Sequence, residues 1–201
     1  MLRVGLTGGL ASGKSFVGQA LAGLGCHLIQ ADELGHEALL QGGGAYEGVV
    51  REFGPGILAP GGTIDRNKLA AEVFDKPERL ALLNSLVHPP VIRREEELMA
   101  ELAAADPHGI AVVEAAILIE TGSYRRFDRL VLAVCSPEEQ VRRAMERNGA
   151  TRDQVLARID RQMPLEDKRR YADYVIDTSG TKDDTLRQVG ETYQKLRSIA
   201  S

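Results

Sequence analysis

Residues Gly8-Gly9-Leu10-Ala11-Ser12-Gly13-Lys14-Ser15 fit the pattern G-x-x-x-x-G-K-[ST], and the rest of the chain is read outward from them. The chemistry of this P-loop pattern follows from its residue types. Glycines let the backbone curl so that successive N–H groups point inward at phosphate oxygens, and the loop feeds a helix whose positive N-terminal end adds to the attraction. Gly8, Gly9, Ala11, Ser12 and Gly13 are the wall of such a cradle; Lys14 reaches the β- and γ-phosphates, and the Ser15 hydroxyl is a Mg²⁺ ligand. The backbone N–H of Phe16, in the first helical turn, is the natural donor to the α-phosphate.

The flanks supply the context that the pattern needs. Leu2-Arg3-Val4-Gly5-Leu6-Thr7 is a short apolar run suited to a buried parallel strand. After the loop, Val17, Ala20, Leu21 and Leu24 recur at helical spacing, with Gly25 as a stop. An ordinary glycine-rich turn accounts for the glycines alone. The complete order of strand, loop, Lys-Ser and helix favours a bound nucleoside triphosphate.

A length of 201 residues suits one α/β domain with insertions. The net charge of −4 argues against nucleic acid or an anionic membrane surface as the main partner. No apolar run approaches the length of a membrane span, and a P-loop starting at residue 8 leaves no room for a removable signal peptide. A cytoplasmic enzyme is the expectation. Cys26 and Cys135 fall in predicted strands and read as buried small apolar residues. With the four histidines scattered at 27, 36, 88 and 108, no zinc site is expected.

Further strands are predicted at Cys26–Gln30, Gly109–Glu114, Asp128–Cys135 and Asp173–Asp177, and a last helix at Thr185–Ile199. Their alternation with helices predicts a parallel sheet with right-handed crossovers. Ligand-facing residues of such a sheet lie beyond the carboxyl ends of its strands, which places Asp32 on the rim shared with the P-loop. From Asp32 to about Ala105 the pattern is helical, broken by Gly42-Gly43-Gly44, Gly54-Pro55-Gly56 and Pro60-Gly61-Gly62. Pro77–Leu86 and Val91–Leu102 read as two separate helices. The stretch is long for a crossover and predicts a helical subdomain where a second substrate sits.

Between Arg142 and Arg170 nine Lys or Arg stand against five Asp or Glu, in a chain that is acidic as a whole. Arg143 and Arg147, and likewise Arg158 and Gln162, are four apart and share a helix face. Such a segment can close over ATP and set guanidinium groups on the transferring phosphoryl. A solvated helix laced with ion pairs through Glu146, Asp153 and Asp160 is the other reading.

The loop does not say which P-loop protein this is. Asp32-Glu-Leu-Gly35 and Thr181-Lys-Asp-Asp184 match, as strings, the D-x-x-G and [NT]-K-x-D elements of a GTP-binding switch. Their placement fits one less well: the first follows the P-loop by too few residues for a switch region, and the second opens the last helix, where aspartates are more simply caps; a GTP-binding switch stays the lesser alternative. A kinase needs an acceptor pocket, a carboxylate near the acceptor hydroxyl and a mobile basic cover. Asp32, the helical insertion and residues 142–170 supply candidates. Asp32 also reads as the N-cap of the next helix. A kinase for another small acceptor, such as a nucleoside or nucleotide, satisfies the same features.

The chain resembles the dephospho-coenzyme A kinase family along almost its whole length. The resemblance rests on Leu6–Ser15, on Ala31-Asp32, on Asp65-Arg66 ahead of Val73-Phe74, and on Leu86-Val-His-Pro89. It continues in Ile117-Leu-Ile-Glu120, Ser136-Pro137, Gln140 with Arg143 and Arg147, Arg158 with Gln162, and Val175–Gly180. It implies a P-loop kinase-type three-layer α/β fold: a five-stranded parallel core (1–31, 108–140 and 171–201), a helical acceptor-binding subdomain (32–107) and a lid (141–170). It implies ATP with Mg²⁺ as donor and the ribose 3′-hydroxyl of dephospho-coenzyme A as acceptor. Asp32 is then the general base, and Arg143 or Arg147 steadies the transition state. Arg66 and His88 line the acceptor pocket, and Asp177 to Gly180 lie near the adenine. Two positions depart from the family. Gln30 replaces the first acid of an Asp-Ala-Asp triplet, and Glu114-Ala115-Ala116-Ile117 lacks a proline common after strand three. Glu114 offers a rim carboxylate, either for a water-mediated Mg²⁺ contact or as a plain strand-end helix cap.

Overall fold

The five predicted strands form one sheet in the spatial order His27–Gln30, Ile110–Glu114, Leu2–Gly8, Arg129–Val134 and Tyr174–Asp177, every pairing parallel. The computed structural model describes residues 1–200, all but the side chain of residue 148. In chain order the elements are β1 (Leu2–Gly8), α1 (Lys14–Gly23), β2 (His27–Gln30), α2 (Ala31–Ala38), α3 (Tyr46–Phe53), α4 (Arg66–Val73) and α5 (Pro77–Ala105). There follow β3 (Ile110–Glu114), β4 (Arg129–Val134), α6 (Pro137–Asn148), α7 (Arg152–Ile159), the short α8 (Leu165–Lys168), β5 (Tyr174–Asp177) and α9 (Lys182–Ala200). The chain divides into two units, one of Met1–Gln30 with Glu101 onward and one of Ala31–Ala100.

In the first unit β1 is the central strand. Leu2, Val4 and Leu6, every second residue, face one side, as the two-residue strand period requires. They join Ile110, Val112, Val131, Ala133 and Ile176 from the neighbouring strands and pack on Val17 and Leu21 of α1 and Val189 and Leu196 of α9. The other side carries a smaller cluster of Leu118, Ile119 and Leu130 with Phe127. A Cβ on Gly5 would lie 2.9 Å from Leu130 and Phe127, so the glycine lets this cluster close over the central strand. Continuous apolar burial of β3, where all five residues are buried, is what a parallel strand covered on both faces demands.

α6 starts where Ser136-Pro137 predicts it. The Ser136 hydroxyl accepts the Glu139 N–H, and Pro137 occupies the first turn. α7 is closed by a reciprocal Thr151–Gln154 capping box. The two helices bury Val141, Ala144 and Val155 together, with Leu10 and Ala11 of the P-loop packed against them. α7 ends at Ile159, so Gln162 lies beyond it and does not share a helix face with Arg158, contrary to the spacing argument.

The second unit is helical. Ala45, Val49, Phe53, Ile57 and Leu69 are buried, the Tyr46 hydroxyl donates to the Gly62 carbonyl, and the Arg79 guanidinium stacks 4.2 Å from the centre of the Phe53 ring. The two helices expected at Pro77–Leu86 and Val91–Leu102 are one, α5, which runs through Pro89 and Pro90. Those prolines remove two N–H donors, a local cost that ordinarily kinks or breaks a helix. Apolar burial of Val91 and Met99 on the far side of the prolines accompanies the continuation. Cys26 and Cys135 are buried as expected, although each lies just outside its strand.

Candidate active site

The loop from Gly8 to Ser15 has the backbone that its glycines permit and one that they do not explain. Gly13 sits at φ 81° and Ala11 at φ 54°, both left-handed. An alanine rarely accepts that region, and such strain collects at ligand sites. Gly13 is required twice over, since a Cβ there would lie 2.8 Å from the Thr178 hydroxyl. At Gly8 a Cβ would meet the Ala133 carbonyl at 2.7 Å. Gly13 is also the N-cap of α1, and it brings no side chain to the helix end. The first-turn N–H groups of Lys14, Ser15 and Phe16 are therefore left to an anion, as the P-loop reading requires.

Glu114, at the carboxyl end of β3, is buried at 4 % exposure. Its Oε1 accepts the Ser15 hydroxyl at 2.6 Å and pairs with the Lys14 ammonium at 3.2 Å. Gln30, at the end of β2, is at the long limit of hydrogen bonding, 3.5 Å from Oε2. The register explains the meeting, because Leu6 and Gln30 both lie opposite Glu114 in the sheet. No helix begins at Glu114; the chain runs on in turns to the 3-10 segment at Ser123–Arg126. The strand-end cap reading of Glu114 is thereby excluded, and the carboxylate belongs to the P-loop lysine and serine.

A second set of contacts braces the loop from the side of α6. Arg143 donates to the Thr178 hydroxyl at 2.9 Å and to its carbonyl at 2.6 Å, while its Nε pairs with Glu139 at 2.8 Å. The Thr178 hydroxyl in turn donates to the Ser12 carbonyl at 2.9 Å. Gln162 accepts the Leu10 N–H at 2.9 Å. The Ser12 hydroxyl is itself buried without a hydrogen-bond partner, a state that a bound acceptor oxygen would relieve.

The basic stretch thus separates into parts with different surroundings. Arg142 bridges Glu139 and Glu146 on the solvent side of α6 and holds the Glu139 carboxyl below its usual range, chiefly by hydrogen bonding. Arg169 and Arg170 pair within their own turn with Glu166 and Asp167. These are the solvated ion pairs of the plainer reading. Arg143 points inward, and Arg147 stands exposed one turn beyond it. Lys168, which sequence reasoning left among the lid cations, is fully buried. No signal in a run reading Asp-Lys-Arg-Arg marks one cation as internal.

In the loop after β5, the Asp177 carboxylate accepts the Ser179 N–H at 2.8 Å, and the Ser179 hydroxyl accepts the Ser136 N–H at 2.9 Å, so the 177–180 loop is tied to the start of α6. A Cβ on Gly180 would lie 3.3 Å from the Asp184 carboxylate. Thr181 and Asp184 exchange side-chain-to-backbone bonds at the head of α9. The string Thr181–Asp184 is therefore a helix cap. Asp32–Gly35 lies inside α2, so neither string forms a guanine-nucleotide element.

The acceptor candidates belong to the unit of residues 31–100. Asp32 is exposed in the first turn of α2, inside the helix and not at its N-cap. Its charge suits that helix end all the same. Arg66 is the exposed first residue of α4, behind an Asp65 N-cap that accepts from Asn67 and Lys68. A cation at a helix N-terminus gains nothing from the dipole, so helix stability does not explain it. His88 is half-buried directly before the α5 prolines, and burial holds its pKa below the ordinary histidine value. Among the described residues no group of three or more His, Cys, Asp or Glu is arranged to hold a metal, and no helix is long and apolar enough to cross a membrane.

Comparison with known proteins gives a consistent result. The family model described as dephospho-CoA kinase matches residues 2–184. The dephospho-CoA kinase of Carboxydothermus hydrogenoformans is 42% identical over 194 residues, 96% of this chain and 94% of that one. That of Aquifex aeolicus is 38% identical over 196 residues, 98% of each. Among solved structures, TT1252 from Thermus thermophilus superposes with a TM-score of 0.84 at 33% identity, covering 96% of both chains. By its loop, its sheet order and these relatives, the chain belongs to the dephospho-CoA kinase family.

Proposed function

We propose that this chain transfers the terminal phosphoryl group of ATP, in the presence of Mg²⁺, to the ribose 3′-hydroxyl of dephospho-coenzyme A. The observation that carries the reading is the Lys14–Glu114–Ser15 cluster beside an uncapped helix N-terminus, in a chain whose relatives bear the name dephospho-CoA kinase.

The residues fit the donor. Backbone N–H groups of the loop and of the first turn of α1 take the phosphate oxygens, and Lys14 exchanges its contact with Glu114 for the β- and γ-phosphates. Ser15 and Glu114 offer hard oxygen donors of the kind Mg²⁺ prefers, and they would hold it directly or through water. When bound, the ion neutralises charge on the phosphate oxygens. The 177–180 loop flanks the adenine.

The acceptor is assigned to the helical segment, with residues 32–107 as its subdomain. Asp32 takes the proton of the 3′-hydroxyl as the acceptor oxygen bonds to the γ-phosphorus and the bridge to ADP breaks. Arg66 meets the anionic groups of the acceptor, and His88, neutral near pH 7, lines its pocket. Residues 141–170 serve as the lid. Arg147, exposed on the face of α6 that also carries Arg143, supplies charge to the transferring group, and Arg143 holds the Thr178 loop against the P-loop. Catalysis is then mostly positioning and charge stabilisation. The cytoplasm is the compartment proposed for it.

The deciding measurement is product formation from a panel of acceptors with ATP and Mg²⁺. Coenzyme A should form from dephospho-coenzyme A in strong preference to products from nucleosides and nucleotides. Preference for one of the latter would make this a kinase for another small acceptor.

A further inference from the structure

Lys168 heads the largest fully buried side chains, with no exposure to solvent. Its neighbours Arg169 and Arg170 pair locally, but Lys168 turns inward and its three N–H donors find three acceptors. The ammonium lies 3.3 Å from the Gly8 carbonyl, 3.1 Å from the Ala116 carbonyl and 2.8 Å from Glu120 Oε1. The acceptors lie on two pieces of the site, the start of the P-loop and the turns that follow β3. Gly8 is the last residue of β1 and the first of the P-loop. Ala116 lies two residues past Glu114, and its carbonyl also accepts the Thr7 hydroxyl at 3.1 Å. Glu120 Oε1 also accepts the Met163 N–H at 3.3 Å, one residue after the Gln162 that binds Leu10.

An apolar side chain of similar volume would fill this space without the cost of removing a charge from water, and such replacements are often neutral or stabilising. Packing therefore does not account for a lysine here. What a lysine does, and a methionine does not, is fix two main-chain carbonyls and a carboxylate around one point. We infer that Lys168 is a positioning residue for the donor site: its ammonium sets the start of the P-loop relative to the Glu114 segment and to the chain after α7. It does so without touching the nucleotide. The inference rests on the reading of Gly8–Ser15 as the ATP site.

The test is calorimetric titration with ATP and Mg²⁺ of the unaltered chain, Lys168→Met, Glu120→Gln and the double variant, each with a thermal melt and steady-state kinetics. Lys168→Met should bind ATP about tenfold to a hundredfold more weakly, the loss expected of a slightly misplaced loop, while KM for the acceptor stays put. Glu120→Gln should melt lower, since it leaves the ammonium buried without its counter-charge. The double variant, with no charge buried at this point, should recover the melting temperature and keep the weak ATP binding. A merely structural lysine predicts the opposite, recovery of both. Wild-type affinity for ATP in the double variant overturns the inference. Should the unaltered chain bind no ATP, the nucleotide reading falls and the inference with it.

Discussion

The Ser15 hydroxyl, in the first turn of α1, donates to the Glu114 carboxylate at the end of β3 across 2.6 Å. The same oxygen pairs with Lys14, so one buried acid holds both of the polar side chains that distinguish this loop from an ordinary glycine turn.

Replacing that acid should act on the metal before the nucleotide. Glu114→Gln keeps the shape and an acceptor oxygen but removes the charge. Activity at fixed Mg²⁺ should fall about 10- to 100-fold, the usual range for groups that support a metal site. A titration of rate against Mg²⁺ checks this; the midpoint should move to higher concentration, and an unchanged midpoint would remove Glu114 from the metal site.

Asp32→Asn separates the acceptor half from the donor half. As the general base it should account for about two to four orders of magnitude in turnover, with calorimetric affinity for ATP unaltered. Loss of ATP binding instead would move Asp32 to the donor site.

Arg143 and Arg147 should fail differently. Arg143→Ala removes the donor to the Thr178 hydroxyl and carbonyl, and hydrogen bonds to a charged group are worth about 2 kcal/mol. It should lower the melting temperature and raise KM for ATP. Arg147→Ala, on an exposed position, should leave the melt alone and lower turnover by about a hundredfold or more. Equal melts with wild-type turnover in both would return α6 to a plain solvated helix.

His88 makes stability depend on pH in a defined direction. Its folded pKa lies below 6.5 because burial disfavours the imidazolium. The unfolded chain therefore binds the proton first as pH falls, and stability is lost from about pH 6.5 downward until the folded pKa is reached. Urea unfolding midpoints across this range should decline on acidification, and His88→Gln should flatten that part of the curve. An identical pH profile in the variant would show that His88 does not carry it.

The sheet was readable because each strand is a short apolar run at a sequence position bounded by turn residues, and the P-loop because backbone strain and phosphate chemistry demand particular residues at fixed spacing. Helix ends with capping chemistry, such as Ser136-Pro137, were readable for the same local reason. What sequence could not show were outcomes set by distant partners. Pro89 and Pro90 look like a break, yet α5 continues through them. Gln162 looks like the helical companion of Arg158, yet it leaves the helix to bind Leu10. Lys168 looks like one more surface cation in a basic run, and only the folded chain distinguishes it from Arg169. Of the residues proposed for the acceptor, Asp32 stands out by its place past a strand end; Arg66 and His88 carry no spacing rule of their own, and family resemblance alone singles them out.

The bracing of the P-loop has a consequence for how the protein is made. Leu10, Ser12 and Gly8 take their partners from Gln162, Thr178 and Lys168, at separations of 152, 166 and 160 residues. During synthesis the phosphate cradle leaves the ribosome well before the groups that fix its shape, which follow it by these separations. Contacts of such high sequence separation form late and slowly. Nucleotide binding should therefore appear in a nascent chain only once the segment through Thr178 has been made, and its onset reports the docking of that segment on the loop.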